Sequence, residues 1–260
     1  MQSFDSSFQY LEKALILGAK GEDIITDSDF NSLKSKENEW ERIMSSIKRQ
    51  YLQNNPEISK PDLGFELYLI WIEDQRWRTL SKNYKLKEKP EFSNKAMNSQ
   101  SRRLKRIKQI IKKNGWPKYS EVGKLGGDAV FYVIQHDYSK YMKRHLSIFI
   151  EAGKLGEADS GKAAMMISRV LVKDENVQIY GSQSHKELKK GEDPSKLKGN
   201  LFPIADEKNM RRRREALGMA DFDENCKRLN VNYVEIKDRP DYVPIPIKKK
   251  WIEKGFLLVE

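Results

Sequence analysis

The chain has 260 residues, of which 33% are charged and 38% hydrophobic, and a net charge of +11. Aromatic residues at 10%, with 5 tryptophans, argue against wholesale disorder. There is no run of about 18 apolar residues, which excludes a membrane-spanning helix, and the lone cysteine, Cys226, excludes an internal disulfide framework and a cysteine-rich zinc site.

The N-terminus, MQSFDSSFQYLEK, lacks the basic start and apolar centre of a signal peptide, so a reducing cytoplasm is the expected location. Residues 7–18 read as a short helix with Phe8, Leu11, Leu15 and Leu17 apolar. Residues 29–53 read as a longer helix, capped by Asp27 or Ser28. Phe30, Leu33, Trp40, Ile43, Met44, Ile47 and Tyr51 give it a face, and it must stop before Pro56. Pro61 suits the first turn of a third helix that runs to about Ser81. Residues 83–93, with Pro90 among polar neighbours, read as a linker.

Next comes a basic helix over about 95–113, with Gly115 placed for a left-handed cap and Pro117 preventing continuation. Residues 93–120 hold 9 lysines and arginines and no acidic residue, so one segment carries most of the excess charge. Met97, Leu104, Ile107 and Ile111 form an apolar stripe on this helix. Arg102, Arg103, Lys105, Arg106, Lys108, Lys112 and Lys113 cover the rest. A localised cationic surface is the footprint expected for a phosphate-rich partner. The absence of aromatics on this helix weakens single-strand binding. An ordinary solvated helix face is the plainer alternative.

Residues 125–136 are apolar nearly all round, which suits a central buried helix. Ser139 can cap a helix over 140–152, and Asp159 or Ser160 one over 161–168. The two β-rich runs RVLV and VQIY around KDEN read as a hairpin near 169–181. Residues 186–199 read as a loop, and 207–217 and 221–229 as short helices. From Val231, Pro240, Pro244 and Pro246 make an extended tail that is expected to lie along the body.

The expected fold is therefore mainly α, a helical bundle with a small β-hairpin. Its expected divisions are an N-terminal helical region at 1–92, a core helical domain at 93–230 and the tail at 231–260.

Polar residues in apolar company mark candidate sites, because burying one unpaired costs about 1–3 kcal/mol. Asp74 and Arg78 stand four apart on a face with Leu67, Ile70 and Trp71, with Gln75 beside them, so they can pair. Gln135 and His136 follow an apolar run, and an imidazole there is placed for proton transfer near neutral pH. No spacing of His136, His145 and His185 supports a metal site, and no cofactor fingerprint is present. Within Arg211–Arg214, helical geometry turns Arg213 and Arg214 towards the body and Arg211 and Arg212 to solvent. An inward arginine needs an anionic partner, for which Asp74, Asp137 and a bound anion are the candidates. Gln178, Tyr180 and Gln183, around Gly181, supply directional hydrogen bonds.

In chain order these motifs are D-Q-x-x-R, G-W-P, Q-H, S-R-V, Q-x-Y-G-S-Q and R-R-x-x-L-G. The set resembles the domain-of-unknown-function family 6624, an uncharacterised bacterial family. The likeness spans roughly residues 65–225. It brings in Gly115, Trp116 and Pro117, Arg169, and Gly218 beside the residues above. The family pattern has His where this chain has Asn114 and Asp where it has Ser168. The resemblance implies a shared polar cluster and assigns no reaction.

Two functions follow as expectations. In one, the protein is a hydrolase or transferase acting on a phosphate-bearing or other anionic substrate. His136 is its general acid/base, and Gln135, Tyr180 and Gln183 orient the substrate. Asp74, Gln75, Arg78, Trp116, Arg169, Arg213 and Arg214 complete the binding site. In the other, the protein is a noncatalytic module whose basic helix docks on nucleic acid or a protein partner through Arg102, Arg103, Lys105, Arg106, Lys112 and Lys113.

Overall fold

The computed structural model describes residues 4–83, 90–136, 140–187 and 197–259. It is mainly helical with a small sheet. The chain packs as two compact units, Met1–His136 and Asp137–Glu260. No helix among the described residues is long and apolar enough to cross a membrane.

The first unit begins with α1 (Phe4–Ile16) and α2 (Gly21–Thr26). The single helix expected over 29–53 is broken instead. A short 3-10 turn at Ser28–Phe30 leads into α3 (Asn31–Lys34), and α4 starts only at Glu37 and runs to Gln53. Asp27 does act as a cap, its carboxylate accepting from the Asp29 N–H at 2.9 Å. Phe8, Leu11, Leu15, Ile24, Leu33, Ile43, Ile47 and Tyr51 make the core here, joined by Tyr68 and Ile72 from α5 (Pro61–Asn83). Each such side chain, fully buried, contributes about 1.5–3 kcal/mol.

The basic segment forms α6 (Pro90–Asn114), closed by Gly115 at φ 73° as its position implies. Residues 84–89 of the expected linker lie outside the described residues, and from Pro90 onward the chain is helical. α6 packs within the first unit, so that unit extends past residue 92. On it Ile107, Ile110 and Ile111 are buried, whereas Met97, assigned to the apolar stripe by spacing, is 56% exposed.

α7 (Tyr119–Ile134) is the buried central helix, and α5 packs along it. It starts earlier than the apolar run and is kinked at Gly123, where φ is 70°. The kink leaves backbone carbonyls to be satisfied from elsewhere. The Ser59 and Lys60 N–H groups donate to Ser120 and Glu121 carbonyls at 3.1 and 2.8 Å, and the Tyr51 hydroxyl donates to Val122 at 2.5 Å.

In the second unit α8 (Lys140–Lys154) packs on α9 (Ser160–Glu175). Ser139 and Asp137 lie outside the described residues. Asp159 caps α9, accepting from the Lys162 N–H at 2.9 Å. The hairpin expected near 169–181 is absent. α9 continues through Arg169–Glu175 and ends on Asn176 in the left-handed region. Ala163, Ala164, Ile167, Val170 and Leu171 give it a buried face, so helical packing overrides the β-branched local preference. The sheet lies further on: β1 (Ser184–His185) pairs antiparallel with β2 (Gly199–Leu201), and β2 pairs parallel with β3 (Val231–Asn232). Residues 188–196 of the expected loop lie outside the described residues. α10 (Met210–Ala216) and α11 (Phe222–Leu229) enclose a small core of Ile204, Met210, Phe222 and Cys226. The tail is extended over much of its length but contains α12 (Lys249–Glu253).

Candidate functional site

In the first unit Asp74 and Arg78 pair as their spacing implies, Nε to carboxylate at 2.5 Å. Asp74 is only 3% exposed. The same carboxylate takes a second cation, Arg103 of α6, at 3.5 Å. Arg103 was expected on the solvent face among the nucleic-acid contacts, and the structure corrects that placement: it is 5% exposed. It turns inward because Asp74, Glu73 and Ser99 receive it there. Burial lowers the Arg103 pKa from its ordinary value, and the charges of Asp74 and Glu73 oppose that shift. Gln75 donates weakly to Asp74 at 3.3 Å. Arg78 also donates to the Tyr132 carbonyl at 3.3 Å, one turn before His136. Gln135 is buried, His136 half-buried and Trp116 buried. Asn114 donates to the Ile110 carbonyl at 3.1 Å.

The second unit holds Arg169, Tyr180, Gln183, Arg213 and Arg214. Arg213 and Arg214 point inward as the helical geometry predicts, at 1% and 3% exposure. Arg213 pairs with Asp206 at 2.6 Å and donates to the carbonyls of Ala205 and Asp206 at 3.1 and 2.8 Å. Arg214 donates to the carbonyls of Tyr180 and Ala220 at 2.7 and 2.6 Å. Gln178 is wholly buried and clasps its own loop, donating to the carbonyls of Gln183 and Phe202, both at 2.9 Å. Its side-chain oxygen accepts from the Gln183 N–H at 2.8 Å.

The Tyr180 hydroxyl donates to the Phe256 carbonyl at 2.9 Å and accepts from the Leu258 N–H at 2.8 Å. Burial pushes its pKa up to about 12, so the phenol stays protonated. Ser168 accepts from the Tyr180 N–H at 3.2 Å. The Q-x-Y-G-S-Q motif therefore braces the fold of this unit. Arg169, and Gln183 at the end of the motif, are half-buried.

On α6 the outward cations remain. Lys95, Lys105, Lys112 and Lys113 are exposed, as are Arg102 and Arg106. At about 100° per residue these six fall within one sector of the helix, opposite the buried Ile107 and Ile111. From Lys95 to Lys113 the row spans about 27 Å at helical rise. Two carboxylates of α5 partly balance it. Glu66 pairs with Arg106, and Glu73 lies 3.8 Å from Arg102. Sequence reading missed these two. They are seven apart on α5, hence on one face, which is the signal that could have found them. Lys105, Lys112 and Lys113 pair with no carboxylate among the described residues.

A family model described as "Family of unknown function (DUF6624)" matches residues 61–237, more than half of the chain. No curated protein and no solved structure matches it.

Proposed function

The chain belongs to that family of unknown function, and we propose that it works as a polyanion-binding module whose α6 presents a cationic row to nucleic acid. The observation that carries this reading is the exposed line Lys95, Arg102, Lys105, Lys112 and Lys113 on a helix that carries no acidic residue over 93–120. Opposite-sign charges on α5 are spent on Arg102 and Arg106, which leaves the lysines to exchange counterions with a phosphate backbone. The helix face bears no aromatic for base stacking, so the contact is with backbone phosphates and not with bases. The test is fluorescence anisotropy with duplex DNA and duplex RNA across a salt series. Binding at low salt that falls steeply as salt rises supports the module. No binding at low salt overturns it.

A second reading rests on the end of α7. Arg78 donates to the Tyr132 carbonyl, so a guanidinium stands one helical turn before His136. There Arg78 holds an anionic group and His136 moves the proton in a hydrolysis or transfer. The first reading is preferred because Tyr180, Arg213 and Arg214 already spend their hydroxyl or guanidinium contacts on internal carbonyls. Turnover of a phosphate ester by the intact chain and its loss in His136→Gln would reverse that preference.

A further inference from the structure

A second place in the first unit has the chemistry of a ligand site, and it uses no side chain of α6. Two hollows of about 340 and 330 Å³ lie between α5 and the α2–α4 region. They share Thr26, Ile72 and Arg76, so Arg76 stands at their junction. Trp71 and Gln75 line the first, and Lys34 and Trp40 the second. Gln75 belongs to the D-Q-x-x-R motif, and its weak contact with Asp74 at 3.3 Å leaves its side-chain oxygen free to accept.

The charges here are unbalanced. Arg76 is half-buried and has no carboxylate partner among the described residues. Lys34, across the junction, donates to the Asp27 carbonyl at 2.7 Å and, more weakly, to Asn31, and its ammonium stands over the Trp40 ring at 5.7 Å from the centroid. Two carboxylates border the hollows, and both are engaged elsewhere. Glu22 accepts from the Tyr68 hydroxyl at 2.5 Å, and Glu73 meets Ser99 and Arg103. Burial, and then the charge of Arg76, lower the Lys34 pKa from its ordinary value. Two neighbouring cations with no ion-pair partner among the described residues, beside a flat indole and a free amide oxygen, form an arrangement that an anion with a planar ring would complete.

We propose that these joined hollows bind a nucleotide, its ring against Trp71 with an edge read by Gln75 and its phosphate between Arg76 and Lys34. The ring's exocyclic amino group donates to the Gln75 oxygen, and Arg76 supplies the charge-assisted contact to phosphate. The same ring-and-phosphate unit occurs free or at the end of a strand.

The test uses the full chain and three probes, AMP, adenosine and inorganic phosphate, followed by tryptophan fluorescence and calorimetry. AMP is expected to bind saturably and more tightly than either fragment. Arg76→Gln is expected to weaken AMP by about tenfold or more and to leave adenosine nearly unchanged. Its thermal melt should match the parent, since Arg76 gives up no internal partner. Lack of saturable AMP binding at millimolar concentration overturns the proposal, as does an AMP affinity that Arg76→Gln leaves unchanged. A 5′-phosphorylated tetranucleotide, tested on a chain carrying Lys105→Gln, Lys112→Gln and Lys113→Gln, separates the sources. Binding tighter than AMP assigns a strand end, and weaker binding a free nucleotide. Because that background lacks the α6 lysines, failure of the α6 reading leaves this result standing.

Discussion

The Tyr180 hydroxyl fastens the C-terminal segment within the second unit: the Leu258 N–H donates to it at 2.8 Å and it donates to the Phe256 carbonyl at 2.9 Å. A phenol placed by its motif to orient a substrate thus spends both hydrogen-bonding capacities on the chain itself. Tyr180→Phe strands a backbone donor and an acceptor, so a loss of about 1–3 kcal/mol is expected. Limited proteolysis should then cut the tail after Val231 sooner than in the parent. Unchanged stability and cleavage would show that the tail is held by other contacts.

Asp74 is shared by Arg78 and the buried Arg103, to which Glu73 also lies close at 3.6 Å. Asp74→Ala leaves the buried Arg103 with only the more distant Glu73 and sets it beside the unpaired Arg78. Removing one partner from such a cluster costs about 3–5 kcal/mol. Urea unfolding is the measurement, and a change below about 1 kcal/mol would contradict the buried-cluster account.

Gly181 adopts φ 59°, and a methyl group added there would lie 2.7 Å from the Phe222 ring. Gly181→Ala therefore meets both left-handed strain and a clash in the small core. A loss of about 2 kcal/mol is expected from the backbone alone. Thermal unfolding measures it, with Gly218→Ala, which has open space around it, as the control for φ.

Glu175, the last residue of α9, accepts from Lys248, Trp251 and Lys250 at 2.7, 2.9 and 2.9 Å. Hydrogen bonds from Lys248, then Lys250 and Trp251, lower its carboxyl from 4.5 to about 2. A depressed carboxyl stabilises the folded state above the unfolded value and loses that contribution as pH falls through the folded one. The tail contact should therefore be at full strength above about pH 5 and fade towards pH 2. Glu175→Gln should flatten the acid limb of a stability-versus-pH curve, and an unaltered limb would contradict the assignment.

The signals that read correctly from sequence were local. Asp27, Asp159, Pro61 and Gly115 act where their cap or turn chemistry places them, and Asp74 with Arg78 follows from four-residue spacing. The inward turn of Arg213 and Arg214 followed from helix geometry in the same way. What escaped depended on partners distant in the chain. RVLV has strand preference, yet the apolar face of α9 carries it through as helix. Arg103 looks like any other cation of its segment until Glu73 and Asp74 of α5 are beside it. Tyr180 reads as a site residue because nothing in its motif announces a tail 76 residues on.

The most direct measurement of the central claim compares the salt dependence of nucleic-acid binding for the parent chain with that of Lys105→Gln/Lys112→Gln/Lys113→Gln. Each phosphate contact contributes about 0.9 to the slope of log K against log salt, so the triple variant should lose about 2 to 3 from the slope while its melting temperature stays unchanged. An identical slope in the two proteins would contradict the assignment of α6 as the docking face.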